Sequence, residues 1–104
     1  MPQWLPVIPA NQLAKGVCQH FEVAGENIII VATDTTLSCF QDVCSHQDIK
    51  LSEYGIVIDG TIQCNAHGAR FDIADGKPCR FPGNVPLKQY PCRQNSNGII
   101  EIEV

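Results

Sequence analysis

No stretch of this 104-residue chain sustains an apolar period of 3.6; β-branched residues come instead in short runs cut by Gly, Asn, Asp and Pro. That punctuation leaves no room for a helix-built core and predicts an all-β chain of short strands. Strands are expected at 17–23, where apolar and polar residues roughly alternate, at the β-branched run 27–32, and at 37–41. Ala24-Gly25-Glu26-Asn27 and Thr33-Asp34-Thr35-Thr36 separate them as turns. Residues 56–58 and 61–64 flank Asp59-Gly60, which supplies the two positive-φ positions of a tight hairpin. Residues 70–73, with Ala74-Asp75-Gly76, add another arm. Residues 87–93 and 99–104 should pair across Gln94-Asn95-Ser96-Asn97-Gly98. Only 11–15 hints at a short helical turn, and linkers, repeats and low-complexity segments are absent from the sequence.

A chain of this length builds one core. Its net charge is −4 and no Lys/Arg cluster occurs, which argues against a surface that tracks nucleic-acid phosphates. Met1-Pro2-Gln3-Trp4-Leu5-Pro6 has neither the basic nor the apolar region of a signal peptide, and the longest apolar run, 28–32, is too short to span a bilayer. A cytoplasmic location, without membrane attachment, is therefore expected. In a reducing compartment six cysteines point to metal binding or reactivity more than to disulfides.

Two segments, 42–55 and 65–69, interrupt the strand rhythm, and each carries a Cys/His pair: Cys44-Ser45-His46 and Cys64-Asn65-Ala66-His67, with seventeen residues between His46 and Cys64. A third irregular stretch, 77–86, is rich in Pro and Gly and is expected to form a rigid surface loop outside any ladder. Two Cys and two His also suit a tetrahedral structural zinc site, but zinc fingers pair Cys with Cys first and then continue into a helix. Cys18, Cys39 and Cys92 fall in expected strands, where Cys acts as a small hydrophobe. They and Cys79, in the irregular loop, are read as non-ligands. His20 has no Cys partner in the motif and reads as an ordinary strand residue.

The C-x-H…C-x-x-H arrangement at this spacing resembles the cluster-binding motif of Rieske-type iron–sulfur proteins, in particular the small ferredoxins of bacterial aromatic-ring dioxygenase systems. The resemblance spans nearly the whole chain. It implies a Rieske-like fold: antiparallel sheets forming a base from approximately 1–41 and 84–104, and a cluster-binding lobe at approximately 42–83 within a single domain 1–104. It implies one [2Fe-2S] cluster held by Cys44 and Cys64 on one iron and by His46 and His67 on the other. The first loop departs from the commoner ferredoxin pattern: Ser45 stands for Thr, keeping the hydroxyl, and Gln47 for Gly.

Respiratory and photosynthetic Rieske proteins add a Cys to each ligand loop and place Ser and Tyr after the second His. Here those positions hold Ile49, Ala66, Ala69 and Phe71, so neither the disulfide nor the hydroxyl donors can exist. The expected midpoint is near the bottom of the Rieske range, roughly −150 mV. The resemblance implies a monomeric one-electron carrier between a flavin-containing NAD(P)H-dependent reductase and a terminal ring-hydroxylating oxygenase. The chain has no nucleotide motif and no mononuclear-iron triad, so it is the carrier and not the catalyst. The alternatives are a Rieske-like small subunit of an assimilatory nitrite reductase and a structural zinc module. Partners are expected to dock around Gln47, Asp48, Ala66, Gly68, Pro82 and Gly83.

Overall fold

A computed structural model describes residues 3–44, 49–66, 68–80 and 85–104. It contains eleven strands and one single-turn α-helix among these residues: β1 (Trp4–Pro9), β2 (Cys18–Val23), β3 (Glu26–Ala32), β4 (Leu37–Gln41), α1 (Leu51–Tyr54), β5 (Gly55–Ile58), β6 (Thr61–Cys64), β7 (Ala69–Asp72), β8 (Pro78–Arg80), β9 (Gln89–Tyr90), β10 (Cys92–Gln94) and β11 (Ile99–Glu103). The all-β expectation holds. The strands form three antiparallel sheets, in the orders β1-β11-β10, β2-β3-β4-β9 and β5-β6-β7-β8.

The run Ile28 to Ala32 does not alternate because it is buried on both faces. Ile29 and Val31 join Phe40, Ile62 and Phe71 in one core, while Ile28 and Ile30 join Cys39, Tyr90, Ile100 and Ile102 in the other. Successive side chains of a strand point to opposite faces, so a strand sandwiched between two cores reads as continuously apolar. The four-stranded sheet of β2, β3, β4 and β9 is thus the middle layer. Asp59 and Gly60 adopt φ of 51° and 73°, as the expected two-residue hairpin requires, and β5 and β6 pair from Gly55↔Cys64 to Ile58↔Thr61.

Three sequence readings need correction. Residues 78–80 are not loop: Pro78–Arg80 is β8, paired with β7 through Arg70↔Arg80 and Phe71↔Pro78 with a register shift between them. Proline is tolerated there because β8 is an edge strand with an irregular ladder. Trp4–Pro9, where the sequence carried no assignment, is a strand that holds Pro6 and Pro9 at a sheet edge, with a register shift between Pro6 and Ile8. The expected strand 87–93 is split at Pro91, so that Gln89–Tyr90 pairs with β4 and Cys92–Gln94 with β11. The expected turn at 11–15 is a 3-10 turn at Ala10–Gln12, and α1 lies where no helix was expected. No helix among the described residues is long and apolar enough to cross a membrane.

Candidate metal centre

Cys44 follows the end of β4 and Cys64 closes β6, so two separate chain segments deliver one thiol each. Both residues are 2% exposed and share one core cluster with Leu51, Ile62, Ala69 and Phe71. Ile49 and Ala66 pack against that cluster from the two ligand segments. His46 and His67 lie outside the described residues, as do Gln47, Asp48, Pro82 and Gly83 of the expected docking edge. Ala66 and Gly68, also assigned to that edge, are half-buried.

Backbone hydrogen bonds fix both segments. The Cys44 N–H donates to Ile49 O at 2.8 Å, and the Gly68 N–H donates to Cys64 O at 2.8 Å, closing each segment just beyond its cysteine. The Asn65 N–H donates to Tyr54 O at 2.9 Å, tying the second segment to the end of α1. Side chains brace it further: Arg70 Nε donates to Gln63 Oε1 at 2.7 Å, and Gln63 Nε2 to Asn65 Oδ1 at 3.0 Å. Asp42, buried two residues before Cys44, accepts hydrogen bonds from the Ser52 N–H and hydroxyl. The sequence reading missed this pair; its ten-residue separation leaves no local signal.

The remaining cysteines sort by environment. Cys39 is fully buried in the other core, and burial, then the neighbouring Cys92 thiol, pushes its ionisation well upward. Burial also raises Cys92, to about 11. Cys18 packs in the same cluster as Cys44 and Cys64; burial and then the Asp42 carboxylate push its thiol up to about 12. A buried thiol held protonated by its surroundings packs as a small hydrophobe. Cys79 is exposed on β8. His20, on β2, shares a hydrogen bond of 3.0 Å with Asn27 Oδ1.

The described half of the donor set fits a thiolate-and-imidazole iron–sulfur group. Two soft sulfur donors converge in an apolar, water-excluding cluster, and the hydroxyl-free Ala69 and Phe71 beside them are 0% exposed. Among the described residues no three His, Cys, Asp or Glu side chains are arranged to hold a metal ion, and two of the four expected donors lie outside those residues.

Comparison with known proteins agrees with this chemistry. The model of the Rieske [2Fe-2S] domain family matches residues 3–91. The ferredoxin component of biphenyl 2,3-dioxygenase from Rhodococcus jostii (strain RHA1) is 30% identical over 94 residues, covering 90% of this chain and 87% of that protein. The ferredoxin of carbazole 1,9a-dioxygenase from Nocardioides aromaticivorans IC177 superposes with a TM-score of 0.85 at 25% identity, covering 96% of both chains. A chain from a complex of reduced oxygenase and oxidized ferredoxin in carbazole 1,9a-dioxygenase superposes at 0.84, with 25% identity over 95% of this chain and 91% of that one.

Proposed function

The chain belongs to the Rieske [2Fe-2S] domain family, and we propose on that premise that Cys44 and Cys64 hold one iron of its cluster and His46 and His67 the other. The chain is a ferredoxin-type electron carrier that serves a terminal ring-hydroxylating oxygenase. The observation that carries this reading is the burial of Cys44 and Cys64, from two separate segments, in one apolar cluster.

A Rieske-type cluster, when bound, exchanges one electron at a time, at a potential raised by its two neutral imidazole ligands. The protein's own part is structural and electrostatic. Leu51, Ile62 and Phe71, each 0% exposed, keep water from the sulfur side of the site. The hydrogen bonds at Cys44, Cys64 and Asn65 hold both ligand segments in place, so little rearrangement accompanies electron uptake. Ala69 and Phe71 supply no hydroxyl to cluster sulfur, which keeps the potential at the low end of the family range.

Upstream, the electron donor is a flavin-containing NAD(P)H-dependent reductase. The carrier works as a cytoplasmic monomer without membrane attachment, with 42–83 as the cluster-binding lobe of its single domain. Partners dock around residues 46–48, 66–68 and 82–83, in a small contact that releases between turnovers. Reconstitution tests the reading. The chain, a flavin-containing NAD(P)H reductase and a ring-hydroxylating oxygenase are combined with NAD(P)H and an aromatic substrate. Product should form only when the chain is present, and Gln47→Glu or Pro82→Arg should slow turnover while leaving cluster content intact. A cluster-loaded chain that the reductase cannot reduce, or that cannot reduce the oxygenase, contradicts the assignment.

A further inference from the structure

Asp42 is 5% exposed, an uncommon place for a carboxylate. Its oxygens accept from the Ser52 N–H at 2.8 Å and from the Ser52 hydroxyl at 2.6 Å. Ser52 lies in the first turn of α1, whose N-cap residue, Lys50, makes no capping side-chain hydrogen bond. The orphan N–H groups of a helix start need an acceptor, and here Asp42 provides one from ten residues upstream. The Asp42 N–H in turn donates to Asn27 O at 2.9 Å, which anchors the carboxylate to the start of β3. Cys44, two residues on, donates its N–H to Ile49 O. The first ligand segment is therefore closed at its base by a side-chain clamp outside a backbone bond, with Cys44 between the two.

The clamp is also a charge. Among the described residues no Lys, Arg or His lies within ion-pair distance of Asp42, and Ser52 is its hydrogen-bond partner. Its field reaches into the cysteine cluster, where after burial itself it opposes ionisation of the Cys18 thiol. Among the described residues the groups that bond this carboxylate are neutral, and a buried carboxylate disfavours any further negative charge nearby.

We infer that Asp42 is a positioning residue for Cys44, closing the first ligand segment through Ser52, and that its buried charge lowers the potential at which the protein accepts an electron. This rests on the proposed ligand role of Cys44. Asn at position 42 can still accept from the Ser52 N–H and donate to the Ser52 hydroxyl, so Asp42→Asn removes the charge and keeps the clamp. Asp42→Ala removes both, and Ser52→Ala removes one bond. Two quantities are measured on cluster-loaded protein: the rate at which visible absorbance is lost to an iron chelator, and the midpoint potential.

Asp42→Ala removes two hydrogen bonds to a charged group, each carrying a factor of about ten, and should lose the cluster more than tenfold faster than wild type. Ser52→Ala should do so by a smaller factor. Asp42→Asn should keep the wild-type rate and have a more positive midpoint. Should Asp42→Ala fail to fold, Asp42→Asn and Ser52→Ala still decide the matter. An unchanged midpoint in Asp42→Asn overturns the electrostatic role, and unchanged chelation rates in Ser52→Ala and Asp42→Ala overturn the clamp. Cys44→Ser run in parallel separates the two readings. A normal cluster there overturns the ligand assignment and this inference with it, whereas cluster loss there beside wild-type behaviour of the Asp42 variants overturns this inference alone.

Discussion

Replacing Gly76 by Ala should cost about twice as much stability as replacing Gly25 by Ala, although both glycines have similar positive φ angles. Gly76 has φ of +75° and Gly25 of +80°, so either alanine enters the left-handed region at a cost of about 1–2 kcal/mol. The surroundings differ. A Cβ on Gly25 meets nothing within 4 Å. A Cβ on Gly76 falls 2.8 Å from Phe40 Cε1 and 3.2 Å from both Leu87 Cβ and its carbonyl oxygen. Overpacking a filled core adds about 1–3 kcal/mol, giving about 2–5 kcal/mol for Gly76→Ala against a total stability of about 5–15 kcal/mol for a domain of this size. At about 4 °C per kcal/mol, Gly25→Ala should lower Tm by about 4–8 °C and Gly76→Ala by about 8–20 °C. Both are read by circular dichroism on cluster-loaded protein at one heating rate. Phe40 and Leu87 belong to the core that contains Cys44 and Cys64, so Gly76→Ala should also shorten the cluster's lifetime while Gly25→Ala leaves it unchanged. Equal Tm losses in the two variants would refute the packing argument.

Cys44→Ser, Cys64→Ser, His46→Ala and His67→Ala should each abolish or badly disrupt the visible spectrum of the cluster, with His20→Ala as the unaffected control; a normal spectrum in His67→Ala contradicts the ligand set. Ala69→Ser with Phe71→Tyr should raise the midpoint from roughly −150 mV. Each new hydrogen bond to sulfur, at about 1 kcal/mol, is equivalent to roughly 45 mV for one electron; a wild-type midpoint above zero contradicts the argument. Stability should fall as pH rises above the ordinary thiol value of 9.0, because the unfolded chain then releases protons that the buried Cys39 retains. The slope from that one group is at most about 1.4 kcal/mol per pH unit. Cys39→Val should flatten denaturation midpoints measured between pH 8 and 10.5, and an unchanged slope rules Cys39 out as the cause.

The parts of this molecule legible in the sequence are those whose signal is local. Asp59-Gly60 specified its hairpin because few other residue pairs tolerate two positive φ angles. Residues 28–32 were recognisable as a strand from their β-branched character, although only the two cores in the structure explain why they do not alternate. The spacing of the Cys/His pairs singled out Cys44 and Cys64, which the fold gathers in one cluster. What escaped depends on neighbours distant in sequence. Pro6, Pro9 and Pro78 argue against strands until their edge positions are known. Pro91 divides one apparent strand between two sheets, and only the partners β4 and β11 reveal it. Helix α1 has a single turn, too short to show a period, and its capping acceptor is Asp42 on the far side of the ligand segment.

The central claim, that two cysteines and two histidines hold a two-iron cluster, is tested most directly by the magnetic resonance of the reduced protein grown with ¹⁵N-labelled histidine. The reduced sample should give the signal of a mixed-nitrogen two-iron centre, with strong hyperfine coupling from two histidine nitrogens that is lost together with the signal in His46→Ala and His67→Ala. An iron-free protein, or a two-iron signal without histidine nitrogen coupling, would contradict it.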